Sequence, residues 1–435
     1  MNKAYRIIWN KARKCLMVVG ENVKACGKGG DRKKSILNAV SAALLALGGI
    51  GSVNEAAGQS AVVYINTPTS VPQVVGVSGG YAIVEGRGGS TGTISATVSS
   101  TISNAALSNS ANVSIGYISN NSGLIYSSNT SAGSIASNPV AGIYLKSKGT
   151  VTGGITNSGT IGATQYGIGL SGSLVQNGLM NSGSIAGGSV GISLNSFSTT
   201  SGTITSTYGS TITGGLTNTG VISGGSYSIS VSGNSTIDRI VIAGDNTAQF
   251  IGDVNAPTTP VTIVGGSTYT VGNANFTVGG FNNQGVLVVA PGAVKTITGT
   301  GGNTNYVQSA GATYRVNVSG TAAGSYGSLG IQGNATFAGN TGIDVRLSGA
   351  NANIGAGTVL GGVFRATNSI SASTFTVTDN SALLNFTVDT SDSHELKLRA
   401  TASGACAGTV SSGTVSGPCF VAFDSSSLQV STAGT

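Results

Sequence analysis

Charge is scarce in this chain, and the residue types that most enzyme chemistry needs are scarce with it. Asp, Glu, Lys and Arg make up 8% of the 435 residues, with a single histidine and four cysteines. A zinc site draws on clustered Cys, His and carboxylate ligands, which this composition hardly supplies. Glycoside hydrolysis needs two carboxylates facing each other across a cleft, and acids this sparse argue against it. A Ser–His–Asp triad would have to use His394, which stands in Thr390-Ser391-Asp392-Ser393-His394-Glu395. There the adjacent Ser and Asp are expected to shape a turn, since a triad is assembled by geometry and not by adjacency. The Gly-rich segments follow no strand–helix phosphate pattern, and the calcium-binding nonapeptide repeat is missing. Gly86-Arg87-Gly88-Gly89 is the nearest approach to Arg-Gly-Asp. No catalytic residue, cofactor or metal is therefore expected. Proline is rare too, and after residue 58 no sustained helical stripe occurs.

The charge that is present sits mostly at one end. Residues 1–34 hold ten basic side chains and two acidic ones, Glu21 and Asp31. With Glu55 added, the stretch up to Gly58 accounts for ten of the 20 basic and three of the 13 acidic residues, so ten of each remain. The formal charge of +7 thus belongs to the N-terminal stretch and argues for no nucleic-acid partner of the remainder.

That stretch has the parts of a secretory leader. Arg32-Lys33-Lys34 is a positive n-region, and Ala39 to Ile50 is an apolar core of signal-peptide length. It is short and rich in Gly and Ala for a membrane span. Ala56-Ala57-Gly58 offers small residues for cleavage before Gln59. The alternative is an N-terminal helix that anchors the chain to a membrane.

About thirty residues precede this core, far more than a signal requires. They include Met1-Asn2-Lys3, Tyr5-Arg6, Ile8-Trp9-Asn10-Lys11, Ala12-Arg13 and the apolar Leu16-Met17-Val18-Val19 before Gly20-Glu21. This segment resembles the extended signal peptide region of Gram-negative type V secretion substrates, the autotransporter class. The resemblance implies a leader that tunes export through the inner-membrane machinery. Its basic residues would hold it at the anionic inner leaflet while Trp9 and the apolar residues enter the interface.

Residues 59–435 follow a different rule. The chain has 70 glycines, well above ordinary usage, yet its apolar residues are patterned. Tyr269-Thr270-Val271, Phe276-Thr277-Val278, Tyr314 to Val318 and Ile343 to Leu347 alternate with period two, and Val286 to Val289 is continuously apolar, as in a strand buried on both faces. Internal repeats are also present. Ile155-Thr156-Asn157-Ser158-Gly159-Thr160-Ile161 recurs as Leu179 to Ile185 and Leu216 to Ile222. Each copy is followed by a second element, Gly167-Ile168-Gly169-Leu170, Gly191-Ile192-Ser193-Leu194 and Ser228-Ile229-Ser230-Val231, with its Ile eleven residues beyond the central Asn in every case. A looser copy runs from Ile118 to Gly123, with Gly142-Ile143-Tyr144-Leu145 further on.

The central asparagines are spaced by 24 and 37 residues. The shorter distance suits one coil of a right-handed parallel β-helix, and the longer one leaves room for an inserted loop over residues 195–209. The fold class expected is therefore all-β, a parallel β-helical solenoid preceded by a long signal peptide. Ile161, Ile168, Ile185, Ile192, Ile222 and Ile229 are expected to stack inward. Asn157, Asn181 and Asn218 are expected to form a turn ladder, and alternation places Ser193 outward.

The organisation expected is 1–58 leader, 59–234 repeat-rich passenger, 235–400 C-terminal passenger part and 401–435 a Gly/Ser/Thr-rich tail. Runs such as Tyr306 to Tyr314, Ser373 to Asp379 and Leu383 to Asp389 keep the strand rhythm after the repeat fades, and resemble the C-terminal part of autotransporter passengers. Cys406 and Cys419 lie twelve residues apart in the tail, and in an oxidising compartment a disulfide between them would contribute about 3 kcal/mol. Two free thiols are the alternative.

A complete autotransporter ends in a membrane β-barrel, whereas this chain stops at Thr435 without such a pattern. The expectation is a passenger served by an outer-membrane translocator outside this chain, or a product truncated before its barrel. Function is expected to be adhesion, with a host or bacterial surface as ligand and a location at the cell surface or outside the cell, or in the periplasm without a translocator. An exported hydrolase is the competing class.

Overall fold

The computed structural model describes residues 141–146, 148–292, 294–348 and 354–403, together with separate strands before and after them. The chain divides into two compact units, Met1–Gly51 and Ser52–Thr435. In the first, Tyr5–Asn10 pairs antiparallel with Cys15–Gly20. Among the described residues no helix is long and apolar enough to cross a membrane.

The second unit is a parallel β-helix. One coil runs through Thr150–Val151, Ile155–Asn157, Thr160–Ala163 and Tyr166–Ser171. The next runs through Leu174–Val175, Leu179–Asn181, Ser184–Gly187 and Val190–Asn195. Each strand pairs in parallel with its counterpart one coil on: Ile155 with Leu179, Ile161 with Ile185, Ile168 with Ile192. A third coil repeats the register, Leu179 with Leu216, Ile185 with Ile222 and Ile192 with Ile229. The strands are too short to bury anything alone, and stacking at the interstrand spacing of about 4.8 Å merges their inward side chains into one core. All six isoleucines expected to stack inward are fully buried.

Asparagine forms the expected ladder. Asn157 Nδ2 donates to Asn181 Oδ1 at 2.8 Å, and Asn181 Nδ2 donates to Asn218 Oδ1 at 2.8 Å. The longer repeat spacing contains an antiparallel hairpin, Phe197–Ser201 with Ile204–Tyr208, inserted between two coils.

Ser193 departs from its expected place. It is only 3% exposed, because a short side chain flanked in register by Gly169 and Ser230 is closed over by its neighbours, and Asn195 Nδ2 donates to its hydroxyl at 3.0 Å. Alternation alone misjudges a small residue beside larger ones.

The core continues past residue 234 without a break, but changes character. Aliphatic stacks give way to a chain of aromatic rings. Phe250, Tyr269 and Phe276 meet edge to face at 5.9–6.2 Å, and Tyr306 and Phe337 each lie 5.0 Å from Phe364. Such contacts add to the area these large side chains bury. The apolar run Val286–Val289 is buried on both faces over Leu287–Val289, as its composition implies.

At the C-terminal end the strand direction changes. Val359–Ala366 pairs in parallel with Leu329–Ile331 on one edge and antiparallel with Glu395–Ala402 on the other. The latter closes a hairpin with Leu384–Asp392. The run from Leu383, whose rhythm matches another coil, thus belongs to a hairpin laid along the last coil. It pairs the edge that the parallel stack would otherwise leave open.

An ionic cluster ties the outside of three successive coils together. Arg315, Asp344 and Thr378 are register neighbours. Asp344 accepts from Arg315 Nε at 2.6 Å, Arg346 Nε at 2.9 Å and Thr378 Oγ1 at 3.0 Å. Burial pushes this carboxyl up, but the two guanidinium groups and the hydroxyl outweigh it and hold it below its ordinary value. A carboxyl depressed in the folded state contributes stability above its unfolded value near pH 4, and that contribution is lost as pH falls through the folded value. Asp344→Asn is accordingly expected to be less stable than the wild type at pH 7 and to lose less stability on acidification from pH ~5 to pH ~2. Thermal unfolding followed by circular dichroism at both ends of that range checks this.

Candidate binding surface

The eight tyrosines whose burial is described divide cleanly. Tyr269, Tyr306, Tyr314 and Tyr326 are buried in the C-terminal half, whereas Tyr144, Tyr166, Tyr208 and Tyr227 are half-buried or exposed on the N-terminal coils. The outward four share one region. Tyr144 stands between inward Ile143 and Leu145, so strand alternation turns it out. Tyr166 and Tyr227 flank Val190 in a single register column. Tyr208 ends the inserted hairpin, where Lys148 Nζ lies 3.9 Å from its ring centre. A cation over an aromatic face is attractive, and the contact ties the hairpin to an earlier coil. The ammonium also holds the Tyr208 hydroxyl below its ordinary pKa.

Gly169 shapes the middle of this surface. A Cβ built there would lie 2.8 Å from Tyr144 Cδ2 and 3.4 Å from Tyr166 Cδ2. The two rings therefore converge over a position that only glycine leaves open. Burial pushes the Tyr144 hydroxyl up, and a hydrogen bond with Ser171 works against that. Polar groups around the rings are already oriented by one another. Asn195 donates to Ser193, and its own Oδ1 accepts from Ser232 Oγ at 2.7 Å. No charged residue occurs from Gly149 to Ile237, so charge stands at the border, with Lys146, in the register column of Ser171 and Asn195, and Lys148 on one side and Asp253, the register partner of Tyr227, on the other.

His394 lies elsewhere, at the tip of the C-terminal hairpin. It lines a groove of about 500 Å³ with Gln332, Arg365, Thr367, Asp392 and Glu395. Ser393 Oγ is 3.0 Å from His394 Nδ1, and Asp392 Oδ1 is 3.7 Å from the same nitrogen. A triad places nucleophile and carboxylate on opposite ring nitrogens, and this arrangement does not. Asp392 Oδ1 accepts the His394 backbone N–H at 2.8 Å, which closes the turn. Among the described residues, no three His, Cys, Asp or Glu side chains gather as metal ligands.

Comparison with known families concerns the other end of the chain. Residues 1–50 match the family described as the Extended Signal Peptide of the Type V secretion system. The chain carries the leader of a type V secretion substrate. Behind that leader lies an autotransporter-type passenger, and the parallel β-helix of the second unit fits it. Among curated proteins no match to the chain is found. A type V leader directs this passenger out of the cytoplasm through the inner-membrane machinery, and toward the cell surface or medium by an outer-membrane translocator.

The residues at which the leader is expected to be cut, Gly58 and Gln59, and the thiols of Cys406 and Cys419 lie outside the described residues. The pairing of the two thiols is open to direct measurement. Exported passenger alkylated without reductant is expected to gain no label by intact mass, and two labels would reject the disulfide.

The outward tyrosines are the functional candidates that the repeat pattern did not single out. Tyr144 was legible in Gly142-Ile143-Tyr144-Leu145, where both neighbours are inward. The convergence of Tyr166 on it depends on a contact between coils, which no local pattern encodes.

Proposed function

We propose that the protein is a non-enzymatic adhesin, displayed outside the cell, that binds a host or bacterial surface through its N-terminal coils. The observation that carries this is the gathering of the outward tyrosines, with charge only at the border, on one face beside a projecting hairpin. Tyr, Ser, Gly and Asn are the residues from which recognition surfaces are commonly built, since Tyr gives broad rigid contact at low entropic cost and the others give adaptable hydrogen bonds. The stack beneath supplies a rigid support. The hairpin adds reach, with Ile204 at its turn 71% exposed.

The test uses exported full-length passenger coupled to beads and applied to cultured epithelial cells and to bacterial cells. Beads bearing the passenger are expected to bind one of these above albumin-coated beads. Equal binding to both kinds of bead would reject the adhesin role. N-terminal sequencing of the same preparation is expected to begin at Gln59, and a chain still starting at Met1 would reject the leader's removal.

A further inference from the structure

The tyrosine face has a composition that selects among partners. A protein partner is ordinarily held by a desolvated apolar centre inside a polar rim. This face has no such centre, for Val190, half-buried between Tyr166 and Tyr227, is flanked by Gly169, Ser230, Asn195 and Ser232. An anionic polymer or lipid headgroup is held by clustered Lys and Arg; Gly149 to Ile237 contains neither, and Lys146 and Lys148 stand only at the first coil of the face, Lys148 over the Tyr208 ring. Such a surface suits a ligand that is uncharged, rich in hydroxyl groups and equipped with C–H faces for stacking on aromatic rings.

The ring positions fit an extended chain of such units. Tyr166 and Tyr227 are two coil steps apart in one column, which is about 9.6 Å at the interstrand spacing. The Tyr144 ring lies beside that column, over Gly169. Beside the rings, Asn195 and Ser232 form a hydrogen-bonded pair, and Asn195 is also bonded to the enclosed Ser193, so the orientation of the pair is fixed before any ligand arrives. Preorganised groups lose less entropy on binding.

We propose that the face formed by Tyr144, Tyr166 and Tyr227 with the Asn195–Ser232 pair is a binding site for a neutral oligosaccharide, stacked on the tyrosine rings along the column. The proposal rests on the adhesin reading and names its ligand class. Tyr166 and Tyr227 give the stacking surfaces for sugar units separated along the chain. Gly169 acts as a positioning residue, because any side chain there displaces the Tyr144 ring. Neutral contacts of this kind do not weaken when ions screen the solution.

The experiment measures retention of exported full-length passenger on immobilised mannan, laminarin and dextran, with heparin as the anionic comparison. Retention on at least one neutral glycan is expected, unchanged from about 0.05 to about 1 M salt. Tyr227→Ala is expected to weaken it about tenfold, as loss of an aromatic anchor does, and Gly169→Ser is expected to weaken it through the displaced Tyr144 ring. Tyr227 is 37% exposed, so its variant should keep the wild-type protease-resistance pattern. Met180→Ala, outward on a different strand of the coil, should bind as the wild type does. Retention on heparin alone, retention on none of the four, or undiminished binding by Tyr227→Ala would overturn the proposal. Cell binding that soluble neutral glycan fails to compete would also overturn it, while leaving the adhesin role standing. Glycan retention without cell binding would support the site and reject that role.

Discussion

Ile192→Asp is expected to destroy the protease resistance of the coils around it, with a destabilisation of at least about 3 kcal/mol. Ile192 is fully buried and stacked in register between Ile168 and Ile229. A carboxylate there has no cation in reach, because no charged residue lies between Gly149 and Ile237. Losing the isoleucine contacts adds to the cost of the buried charge. In a solenoid each coil is stabilised mainly by its neighbours, so the damage should spread to the coils of Ile168 and Ile229 and show as new cleavage sites there. The matched control is Met180→Asp, which introduces the same charge at a position 57% exposed. It should remain nearly as resistant as the wild type. Ser193→Asp is unsuitable as a silent control, since Ser193 is enclosed and bonded to Asn195. Limited proteolysis followed by mass spectrometry decides the matter, and equal resistance of Ile192→Asp and Met180→Asp would sink the inward–outward assignment of these coils.

The difference between Ile192 and Ser193 marks how far the sequence could be read. The repeat from Ile155 to Val231 was legible because stacking imposes the same residue at the same place in each coil, and Asn157, Asn181 and Asn218 kept their spacing to the following Ile through an inserted hairpin. Size as well as alternation decides burial, which is why Ser193 departed from its pattern. The C-terminal hairpin was less legible. Leu384–Asp392 and Glu395–Ala402 carry the same alternation as a coil strand, and strand direction leaves no mark on period two. The tyrosine face was visible only one residue at a time. Alternation shows that Tyr144 points outward, but its meeting with Tyr166 over Gly169 is made between coils.

Asn181→Asp is expected to give a protein whose stability falls as pH rises from ~4 to neutrality, opposite to the trend that Asp344 imposes on the wild type. Asn181 is the middle rung of the buried ladder. Its Oδ1 accepts from Asn157 Nδ2 at 2.8 Å, and its Nδ2 donates to Asn218 Oδ1 at 2.8 Å and to the Val221 carbonyl at 3.2 Å. A carboxyl is nearly the same shape. One oxygen would still accept from Asn157, but the other would face three acceptors, Asn218 Oδ1 and the Val221 and Gly183 carbonyls, with no proton to offer. Burial and these facing oxygens both disfavour ionisation, so the introduced carboxyl should have a folded pKa well above its unfolded value of about 3.9. With the folded value raised, stability is greatest below the unfolded pKa and is lost as pH climbs toward the folded one, at about 1.4 kcal/mol for each unit between them. The protonated acid can donate to Asn218 Oδ1 and restore the rung. Asn181→Ala separates this effect from simple loss of the amide. It removes one hydrogen bond from each of Asn157 and Asn218, which keep Gly159, Ser184 and Gly220 as partners, at about 0.5–1.5 kcal/mol for each bond lost, but it adds no titrating group. Thermal unfolding of both variants at pH 4 and pH 7.5 tests the ladder. Asn181→Asp should regain stability at the lower pH relative to Asn181→Ala, and parallel pH profiles for the two would mean that the asparagine amides are not bonded in series through the core.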